Sequence, residues 1–519
     1  MGMKNNLVAF IVLIIYFIGL FVLAAIANAT QKKRAKQMGT DGAEGYLMAS
    51  RSMGFGTIMC TIMGVAIGAN ATTGAAQGGY QYGLAAGTHP LWLGLGVTIV
   101  GIWLTNRYRN TNMSTVSGFF KDAYGSSTGV INAVGQIFMN FVIMVSQFIA
   151  GGAILATLLP QYFTQTTGMI VSAVIFLLIA LFGGWMSCGV TNILNMIVCY
   201  LAVALALIAV FTNPDVGGWS GIVSNLGDKA STYLSPVKGI GWGIWLVYPV
   251  MMIPCVATGQ SQVQCITTAK DNRTARLSFI IGGLLVAPIG YLCAIVGMAA
   301  LKLHPDLAAA GATAQAMPLV LNTLSPVAAG IAVAGMWAAY VSTATNLSVS
   351  ASTVFLNDIY KPLMKNAGKI EKVTPKLENS LGRWGIIIFT VVSCFCSFYV
   401  KSLLNFARAG LGLSVPFFFI MVVTMFFPKL ATKHYAVAEM VVSYVAMIAC
   451  TLIPAVKRFF FGDVVWCLAI VGIVSTVIIL IVDRKNPAYF RSEEFLSTKG
   501  SLYVKGTKEY EHDPCKREL

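Results

Sequence analysis

Charged residues make up only 10% of this 519-residue sequence, against 57% hydrophobic, and its mean hydropathy is +0.75. Composition of that kind excludes a soluble globular domain and specifies a multi-spanning helical membrane protein. Polar stretches are short, and only the basic tail from Asp483 to Leu519 is long enough to reach far from the bilayer. Acids are scarcer still. Of 19 Asp and Glu, only Glu439 falls inside an apolar segment, so the buried titrating groups of a proton relay and the paired acids of an intramembrane hydrolase are missing. The four histidines, His89, His304, His434 and His512, are scattered and form no His-x-x-x-His pair; each reads as a surface or packing residue. The 11 cysteines lie almost wholly in apolar segments without a Cys-x-x-Cys pair, which argues for small buried side chains rather than a metal or redox site. No catalytic constellation emerges, and the reading is that the protein is not an enzyme.

What is present is a succession of membrane-length apolar segments. Thirteen spans are expected, at about 7–29, 54–77, 84–104, 130–159, 169–186, 195–211, 241–266, 280–301, a ninth centred on 338–348, then 384–399, 410–427, 437–453 and 465–482. The formal charge of +16 invites a nucleic-acid reading, but its distribution argues otherwise. All but eight of the 35 Lys and Arg fall on one side of this span order, in alternate loops, as the positive-inside rule requires, and no basic face with aromatics appears. The partners implied are the lipid bilayer and a small solute, with no nucleic acid. The first run ends in Ala27-Asn28-Ala29, which looks like a signal-peptidase site, yet Lys32, Lys33, Arg34 and Lys36 follow it. That charge order keeps it as a span, with the N-terminus outside, the C-terminus cytoplasmic and the protein in the cell (inner) membrane.

Polar side chains gather where lipid should exclude them. Ser342, Thr343, Thr345, Asn346 and Ser348 lie mid-span in the ninth segment. One such hydroxyl can bond back to the carbonyl four residues earlier, but adjacent Ser342 and Thr343 point about 100° apart on a helix. Neutral oxygens at that depth are what a desolvated Na⁺ needs. The second span carries Gly54, Gly56, Gly64, Gly68 and Gly74 together with Asn70, Thr72, Thr73 and Gln77. Such glycine density permits either close packing through Gly64-x-x-x-Gly68 or an unwound stretch facing a cavity. Span seven contains Pro254 and then Gly259-Gln260-Ser261-Gln262, and a break near Pro254 is expected. Two broken helices in corresponding places are the sequence pointer to a mid-membrane site. Asn70, Thr72, Thr73, Gln77, Gln260 and Gln262 are the neutral hydrogen-bonding groups available for a solute.

Several of these stretches resemble one family. Gly335-Met336-Trp337-Ala338-Ala339, Val341-Ser342-Thr343 and Asp358-Ile359-Tyr360-Lys361 are similar to the AA-x-x-ST…DIYK signature of the sodium:solute symporters. Gly79-Tyr80-x-x-Gly83-Leu84, Thr115 to Gly125 and Gly259-Gln260…Ala269-Lys270-Asp271 also resemble family motifs, in order, along most of the chain. The resemblance implies a leucine-transporter-type fold with an inverted 5+5 repeat and broken first and sixth core helices. It implies Na⁺ ligands at the Ser342 and Thr343 side chains and the Ala339 carbonyl, with the Gly64 and Ile67 carbonyls placed by spacing. On this basis residues 1–53 form an outward N-terminus, an extra helix and a basic loop, 54–428 the ten-helix core, 429–482 two peripheral helices and 483–519 the basic tail. Many members carry Thr-Asp-x-x-Gln where this chain has Thr191-Asn192-Ile193-Leu194-Asn195, so one Na⁺ is expected and a second site is in doubt. Cys255, Val256 and Ala257 stand where the sugar and proline carriers have aromatics, which counts against those two substrates; a neutral pocket beside bound Na⁺ suits a small carboxylate or amino acid, whose charge the ion offsets. The expected activity is uptake of that solute by alternating access, driven by inward Na⁺ movement; a Na⁺-independent facilitator or channel is the alternative.

Overall fold

A computed structural model describes residues 3–39, 43–111, 113–158, 160, 162–400, 403–486 and 488. The expected basic tail lies mostly outside the described residues. Among those described there are helices and turns but no strands, only an isolated bridge between Met53 and Ala269. Among the described residues, twelve helical stretches are long and apolar enough to cross a bilayer. The expected thirteenth crossing is the second, which is divided between Phe55–Ala66, too short to span alone, and Thr73–Tyr82, which a 3-10 stretch joins to the third crossing, Thr88–Trp103.

The ninth crossing, Pro326–Val354, is the hub. Its Pro occupies the first turn, where the missing N–H costs no ladder bond. Burial then separates centre from rim: in the most apolar window, 83% of the ninth crossing is buried, against 28% of the first and 33% of each of the last two. The ninth helix therefore packs on protein all round, including the second crossing and the long helix 165–212, while the terminal crossings turn an apolar face outward.

Sequence and structure differ at two breaks. The expected boundary between spans five and six, at residues 187–194, does not exist. The helix is interrupted at Gly184, whose φ of 57° suits a residue without Cβ, giving Gln165–Phe182 and Gly184–Thr212. Thr191 and Asn192 thus lie inside a crossing, fully buried. In the seventh crossing the helix Gly241–Thr258 runs straight through Pro249 and Pro254 and breaks instead at Gly259, where ψ turns to 130° before Gln260–Thr267. A proline removes one donor and crowds the carbonyl four residues earlier, which this helix absorbs without ending, whereas an extended ψ redirects the whole chain.

Candidate ion and solute site

In the second crossing the helix ends at Ile67 (φ −92°, ψ 82°) and resumes at Thr73. Backbone groups freed at membrane depth must find partners. The Ala71 and Thr72 amides donate to the Gly68 carbonyl, and the Ala69 N–H donates to Gln147 Oε1 at 2.9 Å. In the seventh crossing Gln136 plays the same part on both sides of the break: its Nε2 donates to the Thr258 carbonyl at 2.8 Å, and its Oε1 accepts from the Gln260 N–H at 2.9 Å. Gln136 and Gln147 belong to one helix, Ser126–Leu158, 11 residues and so about three turns apart on one face. A single crossing holds both breaks open.

Against the first break lies the hydroxyl pair of the ninth helix. Ser342 Oγ stands 3.2 Å from the Gly64 carbonyl and 2.9 Å from that of Ala339; Thr343 Oγ1 stands 2.7 and 3.1 Å from the same two. Four neutral oxygens thus converge, all buried, with only two protons to share among four donor–acceptor pairs. A cation entering there would replace hydrogen bonds that are already over-subscribed. The approach is possible because residue 64 is glycine: a Cβ there would lie 3.0 Å from Ser342 Cβ and 3.1 Å from Asn192 Cγ. Asn192 in turn accepts from Asn195 Nδ2 at 3.1 Å, and Asn195 accepts from the Tyr16 hydroxyl at 2.8 Å, a neutral cluster beside the four oxygens.

Two cavities adjoin. A small one of about 40 Å³ is lined by Gly68, Asn70, Gln147, Cys255, Gln262 and Thr343 among others, and a larger one of about 430 Å³ shares Asn70, His89 and Leu411 with it. The larger cavity reaches the surface at exposed Gln81. Of the six expected solute residues, Asn70, Thr73, Gln77 and Gln262 line one or both cavities. Thr72 and Gln260 line neither. Thr72 donates back to the Gly68 carbonyl, and the Gln260 side chain accepts from the Val116 N–H and donates to the Ser114 carbonyl. Sequence reasoning missed Gln147, Arg408 and Tyr248, while His89, read as a surface or packing histidine, does pack, edge-on against Tyr248, and lines both cavities. Gln147 had a signal, a polar Ser-Gln pair in mid-span. Arg408 had none, because it precedes the expected start of its span. The expectation of a wholly neutral pocket is corrected by Arg408.

Away from the cavity mouth the bundle is closed. The Met53 N–H donates to the Thr268 carbonyl at 3.1 Å, the Lys270 N–H to that of Met53 at 2.9 Å, and Gln264 Nε2 to that of Leu47 at 2.7 Å, while Arg109 donates to the Ala269 carbonyl. These bonds tie the start of the second crossing to the end of the seventh.

The model of the Sodium:solute symporter family matches residues 46–443. The chain is 24% identical over 480 residues to the sodium/pantothenate symporter of Haemophilus influenzae, covering 89% of this chain and 93% of that protein. It is 25% identical over 357 residues to the Escherichia coli sodium/pantothenate symporter, covering 65% and 71%. Among solved structures, a Na⁺-coupled sialic acid symporter in a substrate-bound outward-open state superposes with a TM-score of 0.76 at 16% identity, over 93% of this chain and 98% of that one.

Proposed function

We propose, for a chain that belongs to the sodium:solute symporter family, a specific assignment of ion site, conformation and solute. The protein is a multi-pass membrane protein that couples Na⁺ to the uptake of a small solute. Na⁺, as co-transported cargo, binds between the second and ninth crossings through Ser342, Thr343 and the carbonyls of Gly64, Ile67 and Ala339. The observation that carries this assignment is the convergence of both hydroxyls on the Gly64 and Ala339 carbonyls at 2.7–3.2 Å. One ion is transported with each solute, because Asn192 supplies an amide where a carboxylate would be needed to offset a second charge. The solute occupies the cavities beside Asn70, Thr73, Gln77 and Gln262, and belongs to the small carboxylates or amino acids.

The membrane is the cell membrane, with the N-terminus outside and the basic loops cytoplasmic. Residues 54–428 act as the transport core, with 1–53 and 429–482 peripheral and 483–519 a cytoplasmic tail. With that orientation, the Met53–Lys270 pairing is the inner gate and Gln81 marks the outer mouth, so the structure has the character of an outward-facing state. Na⁺ binding ties the ninth helix to the second, stabilises this state and completes the solute pocket; movement of the two crossings then opens the other side. Uptake of labelled amino acids and short carboxylates into proteoliposomes, with an inward Na⁺ gradient or with Na⁺ replaced by K⁺, tests the reading. Accumulation above equilibrium only with Na⁺ is expected. Equal, non-accumulating flux in both conditions would instead identify a facilitator.

A further inference from the structure

The larger cavity has a charge that its place in an apolar bundle makes expensive. Arg408 lines it, with its side chain only 14% exposed, and Nη1 donates to Asp463 Oδ2 at 2.8 Å. Asp463 does not line the cavity. Its other oxygen accepts the Val465 N–H at 2.9 Å, capping the last crossing, Val464–Val482. A guanidinium has five N–H donors in a planar fork, and the ion pair is made through Nη1. Arg408 Nε is buried without a partner, as is Nδ1 of His89 on the same cavity. No Asp or Glu is among the residues lining either cavity. The apolar part of the wall includes Ile149, Ala150, Ala153, Ile154, Met251 and Leu411.

From this distribution we propose that Arg408 is the specificity-determining residue for the solute, and that the solute class is a monocarboxylate without an ammonium group. The inference rests on the Na⁺-coupled reading above and narrows its solute. A carboxylate accepting from the Arg408 fork makes a charge-assisted pair of the strong, planar kind. An amino acid places its ammonium in a cavity that offers a like charge and no acid. A sugar offers the guanidinium only neutral hydroxyl acceptors, without the second charge that makes the pair strong. The cation and the carboxylate together enter as a neutral pair, and Asn70, Thr73 and Gln77 remain for hydroxyl or amide groups on the solute's body. Asp463 holds the guanidinium in place from behind, so it positions Arg408 without touching the solute.

The test uses the purified full-length protein and thermal unfolding at saturating Na⁺. The ligands are a panel of monocarboxylates of two to nine carbons, the primary amide of each, and the matching α-amino acids. At least one carboxylate is expected to stabilise the protein and to bind about tenfold or more tightly than its amide and its amino acid. Arg408→Gln should raise the Kd of that carboxylate 10- to 100-fold and bring acid and amide within about threefold, with Na⁺ stabilisation unchanged. Arg408→Lys, which keeps the charge but not the fork, should weaken the carboxylate about tenfold and preserve the acid preference, and it carries the test if the Gln variant does not fold. The proposal is overturned if no carboxylate of the panel binds, if an amide or zwitterion binds best, or if Arg408→Gln leaves the acid-to-amide ratio intact. Failure of Na⁺ alone to stabilise the wild type is a separate result, and it bears on the ion site instead.

Discussion

Thr343→Ala is the perturbation that probes the ion site most directly. The hydroxyl is buried, 2.7 Å from the Gly64 carbonyl and 3.1 Å from that of Ala339. If its role were only to bond back to its own helix, its loss would cost stability on the order of 1 kcal/mol and leave Na⁺ binding alone. If it is a ligand, the lost interaction is with a charge in a dry site, worth about 1.5–3 kcal/mol. At about 1.4 kcal/mol per tenfold, that is a rise of roughly 10- to 150-fold in the Na⁺ dissociation constant. Thr343→Ser keeps the oxygen and deletes one methyl, so its Na⁺ affinity should stay within about threefold of wild type while the packing loss lowers stability by about 1 kcal/mol. Both quantities come from one assay, thermal unfolding of the purified protein across a NaCl series with ionic strength held constant, because a ligand of the folded state stabilises by RT ln(1 + [L]/Kd). A Thr343→Ala variant that unfolds cooperatively and binds Na⁺ within twofold of wild type would refute the assignment.

Na⁺ activation of wild-type uptake should be hyperbolic, with one ion per solute in matched flux measurements; a sigmoidal curve would overturn the single-site reading. Gly68→Ala should weaken Na⁺ affinity and lower the melting temperature, since its Cβ would lie 2.8 Å from Thr343 Oγ1 and 2.9 Å from Gln147 Oε1, an overpacking that costs about 1–3 kcal/mol. Unchanged melting and affinity would show that the site relaxes freely. Gln136→Leu strands the Thr258 carbonyl and the Gln260 N–H together, at about 1–3 kcal/mol per group. It should therefore destabilise the protein more than Gln147→Leu, which strands the Ala69 N–H; the order of the two melting temperatures checks this.

The amino-acid sequence by itself determined the class of molecule, the number of crossings, the family and the residues expected to hold the ion. Apolar length, loop charge and a hydroxyl pair in mid-span are local properties, and lipid leaves a polar group no third option between a partner and a cost. It also marked the second crossing as broken, because glycine density is local too. Tertiary structure alone decided the rest. Gly259 rather than Pro254 became the second break because Gln136, more than a hundred residues away, bridges the freed groups there. Asn192 moved into a crossing because Gly184 takes the left-handed turn that residues 187–194 were expected to supply. Gln260 left the solute's reach because the 114–116 backbone claims its amide. Arg408 entered the cavity because Asp463, 55 residues on, anchors its far side. Each depends on which distant atoms arrive beside a polar group, and in a bundle where every buried donor seeks an acceptor, that pairing is fixed only when the helices have packed.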